Sequence, residues 1–141
     1  MALKVGKAEV WSAAVDDRAG GVADKLEPLS KAGANFEFVL ARRAPEQPGT
    51  GIVFVAPVKG AKVARAAQAA GFARSASLQS LRVEGTNQAG AGARIARVLA
   101  SAGISFRGLS AIAIGRKFVG YLAFDSAEDA AKAAGALRKL R

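Results

Sequence analysis

The chain has 141 residues, of which 51% are hydrophobic, and its 21 Lys and Arg outnumber its 11 Asp and Glu, giving a net charge of +10. It contains no Cys and no His, which excludes disulfides, thiolate nucleophiles, imidazole bases and the usual zinc ligands. Without a long apolar run or a signal-peptide pattern, the sequence predicts a cytoplasmic protein with no membrane partner. Asp16 and Asp17 form the only adjacent acidic pair before a glycine turn, and a solvated turn explains them better than catalysis does. We therefore expect no enzyme and no catalytic residue.

Two segments of the chain repeat each other without a gap. Residues 16–38 (DDRAGGVADKLEPLSKAGANFEF) align with residues 86–108 (TNQAGAGARIARVLASAGISFRG), so that Gly20 pairs with Gly90 and Phe36 with Phe106, an offset of 70 residues. The offset is about half of the chain length, so the sequence predicts a duplicated module.

The first copy reads as alternating strands and helices. Its predicted elements are a strand at 7–15, a glycine turn, a helix from Gly20 to Gly33, a hairpin of strands at 35–43 and 50–58, a helix at 60–71 and a short strand at 72–78. Val22, Leu26 and Leu29 lie at the spacing of one buried helix face. Apolar strands such as GIVFVA (51–56), taken as sheet edges, favour self-association.

The second copy follows the same order. Its predicted elements are a strand at 78–85, a glycine turn, a helix ending at Gly103, a hairpin of strands at 105–114 and 118–125, and a helix at 126–140. Ile95, Val98, Leu99 and Ala102 form its first buried helix face. Ser126 and Asp129 have the spacing of a helix-capping box.

The element order β-α-β-β-α-β predicts an α+β protein made of two ferredoxin-like modules, residues 1–77 and 78–141, related by a pseudo-two-fold. The second copy lacks a last strand of its own. We expect residues 3–7 to pair with the second module and complete its sheet, which also protects an exposed edge.

The segments DDRAGGVADKLEPLSKAGANFEF and TNQAGAGARIARVLASAGISF resemble the ACT domain, a small regulatory module that binds amino acids, although Ala19 and Ala89 stand where the family usually has Pro. The resemblance covers nearly the whole chain and is to stand-alone tandem ACT proteins. It implies a regulatory sensor without cofactor, metal or catalysis, with a free amino acid as ligand, an unidentified regulated partner and a homodimer or other homo-oligomer. The ligand contacts that it implies are Asp17 and Asn35 in the first copy, and Asn87 and Ser105 in the second. The turn glycines Gly20 and Gly90 are included in the predicted sites.

The loop between the first strand and first helix of the second copy is the preferred site. Residues Asn87, Gln88, Ala89, Gly90, Ala91 and Gly92 precede or begin this helix, whose first N–H groups attract a carboxylate. The amide of Asn87 can accept a hydrogen bond from an α-ammonium group or donate to a carboxylate. In the first copy, Asp16 and Asp17 would repel a carboxylate unless Arg18 offsets them.

Other functions are also compatible with the composition. GTNQAGAG (85–92) fits neither the P-loop nor the dinucleotide-binding pattern. A basic ferredoxin-like nucleic-acid-binding protein is the main alternative, but the expected aromatic motif is absent, and Trp11 and Phe54 are interpreted as core residues. A structural domain whose glycine loops are only tight turns remains a third hypothesis.

Overall fold

The computed structural model describes residues 2–74 and 79–140 of the chain. Its elements in chain order are β1 (Lys4–Ala8), β2 (Trp11–Asp16), α1 (Gly21–Lys31), β3 (Phe38–Arg43), β4 (Thr50–Ala56), α2 (Ala61–Ala69), β5 (Ala73–Arg74), β6 (Gln79–Thr86), α3 (Ala91–Ser101), β7 (Gly108–Ile114), β8 (Lys117–Phe124) and α4 (Ala127–Arg138). They form two compact units. In the described residues we call 9–74 module 1, and 2–8 together with 79–140 module 2. None of the helices in these ranges is long and apolar enough to cross a membrane.

Module 1 contains an antiparallel sheet of strand order β3-β4-β2-β5. Alternate residues of β2 are buried because one face of the strand packs on the core. The core consists of Trp11, Ala13, Val15, Leu29, Val53, Val55, Ala67 and Phe72. The GIVFVA segment lies in β4, an inner strand, so its prediction as a sheet edge is wrong.

Module 2 contains an antiparallel sheet of strand order β1-β6-β8-β7. Strand β1 pairs with β6 from Lys4 opposite Glu84 to Ala8 opposite Ser80, so the N-terminal strand completes this sheet as predicted. The strand predicted at 7–15 is in fact divided, because Lys7 and Ala8 belong to β1 whereas β2 begins at Trp11. Of the strand predicted at 72–78, residues 73–74 form β5. Residues 75–78, with the predicted module boundary, lie outside the described residues.

The helices of module 2 have the predicted buried faces and ends. Ile95 and Leu99 of α3 are buried, and Val98 and Ala102 pack partly against the same core. Gly103 follows the helix with a φ of +73°, and the N–H of Ile104 donates to the Leu99 carbonyl, which ends α3 as a glycine C-cap does. At α4 the Ser126 hydroxyl accepts from the Asp129 N–H at 3.0 Å, the expected N-cap bond.

Equivalent positions of the two modules can be read from the strand register. Ala41 of β3 faces Val53, and Ala111 of β7 faces Gly120. The offset is therefore 70 residues from Ala41 to Ala111 but 67 from Val53 to Gly120. The change of offset arises because the connection between β3 and β4 is longer than that between β7 and β8.

Candidate functional site: a pocket at the start of α3

A pocket of about 250 Å³ opens in module 2 beside the first turn of α3. Three parts of the module contribute to it: the glycine loop with the start of α3, the edge strand β7, and the adjoining strands β6 and β8. The lining residues are Val83, Asn87, Gln88, Gly90, Ala91, Gly92, Ile95, Leu109, Ala111, Ile112, Ala113, Phe118 and Gly120. The sequence-predicted loop therefore forms one side of a real cavity.

The loop is held by backbone hydrogen bonds. The N–H of Asn87 donates to the Arg116 carbonyl at 2.8 Å and the N–H of Ala91 donates to the Gln88 carbonyl at 3.2 Å. Gly90, the N-cap residue, has φ +83°, a left-handed conformation that glycine adopts without strain. The loop geometry thus depends on backbone contacts and on one glycine.

The backbone N–H groups in the first turn of α3 receive no cap from a side chain. The N–H of Arg94 donates to the Gly90 carbonyl, and no side chain caps the helix. Within the described residues this leaves the N–H groups of Gly92 and Ala93 without an acceptor, at the end of the helix with partial positive charge. Gly92 does not have a positive φ, and a Cβ there would meet open space. Because Gly92 has no side chain, a ligand can approach the backbone N–H groups there without obstruction.

The other side of the pocket is apolar. Val83, Ile95 and Phe118 are buried and form its floor. Leu109, Ala111 and Ala113 of β7 lie opposite Leu122, Gly120 and Phe118 of β8 and form its wall. The pocket therefore has polar groups at one end and hydrocarbon at the other.

Most of the residues predicted from the sequence as ligand-binding in module 2 line this pocket. Asn87, Gln88, Gly90, Ala91 and Gly92 line it, whereas Ala89 lies in the same loop outside the lining.

Ser105 is exposed and follows the C-terminal end of α3, away from the pocket. Because β7 begins only at Gly108, Ser105 does not open that strand as predicted. The wall residues of β7 and the floor residues were missed by sequence reasoning. The alternation of Leu109, Ala111 and Ala113 was the available signal.

The corresponding loop of module 1 is crossed by ion pairs. Asp17 accepts from Arg43 Nε at 2.9 Å, and Arg18 Nη2 donates to Asp24 Oδ2 at 2.6 Å. The hydrogen bond to Asp24 is the main cause that raises the pKa of Arg18. Gly20 has φ +87° like Gly90. Asn35 is exposed beyond the C-terminal end of α1, as Ser105 is beyond α3.

The side chains of module 1 differ from those of the module 2 pocket at equivalent positions. Module 1 has Val22 where module 2 has Gly92, and Val22 packs against the core. It has Lys25 for Ile95, and Lys25 donates to the Ala70 carbonyl at 2.8 Å. The equivalents of the pocket residues in module 1 thus include charged and larger side chains, and the two loops are not interchangeable.

Trp11 and Phe54 lie on opposite faces of the sheet of module 1. Trp11 is buried in the core, as predicted, and its Nε1–H has no acceptor among the described residues. Phe54 is half-buried on the sheet face opposite the core, since it alternates with the buried Val53 and Val55, so its interpretation as a core residue is wrong. Trp11 and Phe54 therefore do not share one stacking surface.

Structures of known proteins resemble the whole chain, although no family model and no curated protein matches the sequence. Protein BT0572 from Bacteroides thetaiotaomicron has a TM-score of 0.75 and 17% identity, covering 96% of this chain and 99% of that one. The ligand-free regulatory subunit of aspartate kinase from Thermus thermophilus has a TM-score of 0.65 and 13% identity, covering 99% and 96%. The corresponding subunit from Thermus flavus has a TM-score of 0.62 and 14% identity, covering 99% and 96%. The chain therefore has the fold of a tandem pair of ACT-type modules, as the resemblance of its two glycine loops indicated.

Proposed function

We propose that the chain is a non-catalytic regulatory protein that binds a free amino acid in the pocket of module 2. The observation that carries this proposal is the pocket itself, which combines an uncapped helix start, the amides of Asn87 and Gln88, and an apolar floor. An amino acid has the matching order of groups, with two charges at one end and a side chain at the other. No cofactor or metal is needed for this function.

Each end of the backbone of the ligand has a partner. The α-carboxylate accepts hydrogen bonds from the N–H groups of Gly92 and Ala93, where the helix dipole favours negative charge. The α-ammonium donates to the side-chain oxygens of Asn87 and Gln88. Such charge-assisted hydrogen bonds are about twice as strong as neutral ones.

The second module is the better site because its loop carries no acid. Thr86, Asn87 and Gln88 stand where module 1 has Asp16, Asp17 and Arg18. A carboxylate ligand in module 1 would have to displace the 2.9 Å ion pair between Asp17 and Arg43 and approach Asp17. We therefore expect one binding site per chain.

The regulatory role is supported by the likeness to two regulatory subunits of aspartate kinase over nearly the full chain. Binding can regulate a partner only if the ligand prefers one of two states of the protein. We propose that the two states differ in self-association, and that the exposed apolar strand β7 forms the contact between copies.

Thermal melting with a panel of the common free amino acids tests the proposal. A ligand present at a hundred times its Kd adds about 2.7 kcal/mol to the stability of the folded state, which is easily seen as a higher Tm. Isothermal titration then gives the affinity and the stoichiometry, which we expect to be one per chain. A panel in which no amino acid raises the Tm would contradict the proposed function.

Two variants locate the site. Gly92→Val places a side chain in the open space beside the free N–H groups, and the fold accepts Val22 at the equivalent position, so binding should be lost without unfolding. Asn87→Ala removes a hydrogen bond to a charged group, worth about 1.5–3 kcal/mol, and should weaken binding at least tenfold. Asp17→Ala, the matched change in module 1, should leave the affinity unaltered. Equal effects of Asn87→Ala and Asp17→Ala would show that the site is elsewhere.

A further inference from the structure

We infer that the pocket of module 2 selects amino acids with a small, uncharged aliphatic side chain, and that Gly120 of β8 provides the space for that side chain. This inference rests on the proposed function and adds the class of ligand to it. It is carried by the lining of the pocket, by its volume and by the strand register at Gly120.

The lining contains no Asp, Glu, Lys or Arg. The part away from the glycine loop is formed by hydrocarbon, with Val83, Ile95 and Phe118 at the floor and Leu109 on the wall. A charged ligand side chain entering this part would lose water without gaining a counter-charge, which is strongly unfavourable. An aliphatic side chain gains there by removing its own surface from water.

The volume suits a ligand as small as a free amino acid. At about 250 Å³ the pocket lies just below the range of about 300–1,000 Å³ that is typical of sites for drug-sized ligands. Valine, leucine and isoleucine are amino acids whose uncharged hydrocarbon side chains match the apolar floor.

Gly120 occupies the middle of the floor. It lies between Val83 of β6 and Ala111 of β7 in the sheet register. A Cβ added at Gly120 would be 3.1 Å from Val83 Cγ2 and 3.5 Å from the Ala111 Cβ. The absence of a side chain at Gly120 therefore contributes space to the pocket, since any other residue would place a Cβ in that space.

Module 1 has the opposite arrangement of sizes at the same two positions. There Ala13 of β2 faces Val53 of β4, and Val53 is fully buried. In module 2 the large residue, Val83, is on the first strand of the pair and the glycine is on the second. The two pairs fill similar volumes, but only the pair in module 2 leaves the β8 side empty.

Exchanging the pair tests the role of Gly120 without emptying the core. The double variant Gly120→Val with Val83→Ala gives module 2 the arrangement that module 1 already has, and its total volume changes by about one carbon, the kind of substitution that cores tolerate best. The matched control is the reciprocal double variant, Ala13→Val with Val53→Gly, in module 1. Thermal melting of both variants establishes that they fold.

The ligand panel for isothermal titration is valine, leucine, isoleucine, phenylalanine, lysine and aspartate. We expect the three branched aliphatic amino acids to bind at least tenfold more tightly than lysine and aspartate. In the folded Gly120→Val, Val83→Ala variant, the affinity for leucine should fall at least tenfold, while the control keeps it.

The outcomes separate this inference from the proposed function. Tight binding of lysine or aspartate overturns the aliphatic class but leaves amino-acid binding intact. Unchanged leucine affinity in the folded double variant overturns the role of Gly120. Binding of none of the amino acids overturns the proposed function and this inference together.

Discussion

Glu84 of module 2 is a carboxylate with two basic side chains beside it. It lies on β6 beside Val83, and because successive strand residues point to opposite faces, it is on the sheet face away from the pocket. Its Oε1 is 3.0 Å from Arg82 Nη2 and its Oε2 is 3.8 Å from Lys117 Nζ. The hydrogen bond from Arg82 is the largest cause that lowers the pKa of Glu84, with smaller contributions from the charges of Lys117 and Lys4.

This environment predicts a pH dependence of stability. Because the pKa of Glu84 is lowered in the folded state, its carboxylate stabilises the fold above the ordinary value of 4.5, and this contribution is lost as the pH falls through the lowered pKa. Glu84→Gln should therefore lower the urea midpoint at pH 7, and the difference from the unchanged protein should shrink to zero in stronger acid. Glu9→Gln, at the exposed ion pair with Arg74, is the control and should have a smaller effect at pH 7. A difference for Glu84→Gln that is constant with pH would contradict this assignment.

The loop residues were predictable from sequence and the floor residues were not. Asn87 and Gly90 stand between a strand pattern and a helix pattern, and a glycine in such a turn is a local signal that the structure confirms by its positive φ. The role of Gly120 depends on which residues of β6 and β7 lie beside it. That register is set by pairing across the sheet, and a change of offset from 70 to 67 within the repeat hides it from a simple alignment of the copies.

Among the strands, β7 is the edge element with the least protection. Ile112 and Ile114 are 65% and 72% exposed, and the strand contains no charged residue. Its counterpart β3 also has exposed apolar residues, Val39 among them, but it ends with Arg42 and Arg43. Charged residues on an edge strand discourage pairing with another chain. The two edges therefore differ in their tendency to associate.

A single lysine should reveal whether β7 mediates self-association. Ile114→Lys adds a charge to the most exposed apolar position of the strand, outside the pocket lining, and should shift the protein towards monomer in sedimentation experiments. Val39→Lys on β3 is the matched control and should leave the association unchanged. A protein that sediments identically with and without Ile114→Lys would exclude β7 as the contact.

Element order was well predicted, while the ends of several strands were not. Hairpins and helices follow from periodicity and from the repeat, and Ser126 marked the start of α4 correctly. The prediction of one strand at 7–15 was wrong because these residues are divided between two sheets. Hydrophobic alternation reports burial of a side chain, and it contains no information on which sheet buries it.

At the scale of the whole molecule, module 2 depends on residues that precede module 1 in the chain. Leu3 and Val5 pack against the core of module 2, and Arg138 Nη2 donates to the Val5 carbonyl at 3.0 Å. Strand β1 also covers the edge of β6. Module 2 is therefore a unit in space but two separate segments in sequence.

Deleting residues 2–8 should consequently damage the distant half of the chain. Module 2 would lose a strand and two apolar contacts, at a cost of at least about 2 kcal/mol, and amino-acid binding should weaken with it. Trp11, the single tryptophan, reports module 1, so its fluorescence transition in urea should keep its midpoint. Circular dichroism should show an additional transition at lower urea. Gly6→Ala, where a Cβ meets open space, is the control for a change in β1 itself. A deletion that lowers the midpoint of the tryptophan fluorescence transition, and produces no additional transition in circular dichroism, would contradict this expectation.

The position of β1 also affects the order of events during synthesis. The ribosome makes residues 4–8 before module 1, but their pairing partner at residues 80–84 emerges only after all the residues of module 1. Module 1 can fold while the chain is still growing, whereas the nascent N-terminal segment must wait unpaired for the rest of its own sheet. A bulky fusion partner placed at the N-terminus would therefore interfere with the last step of maturation rather than the first.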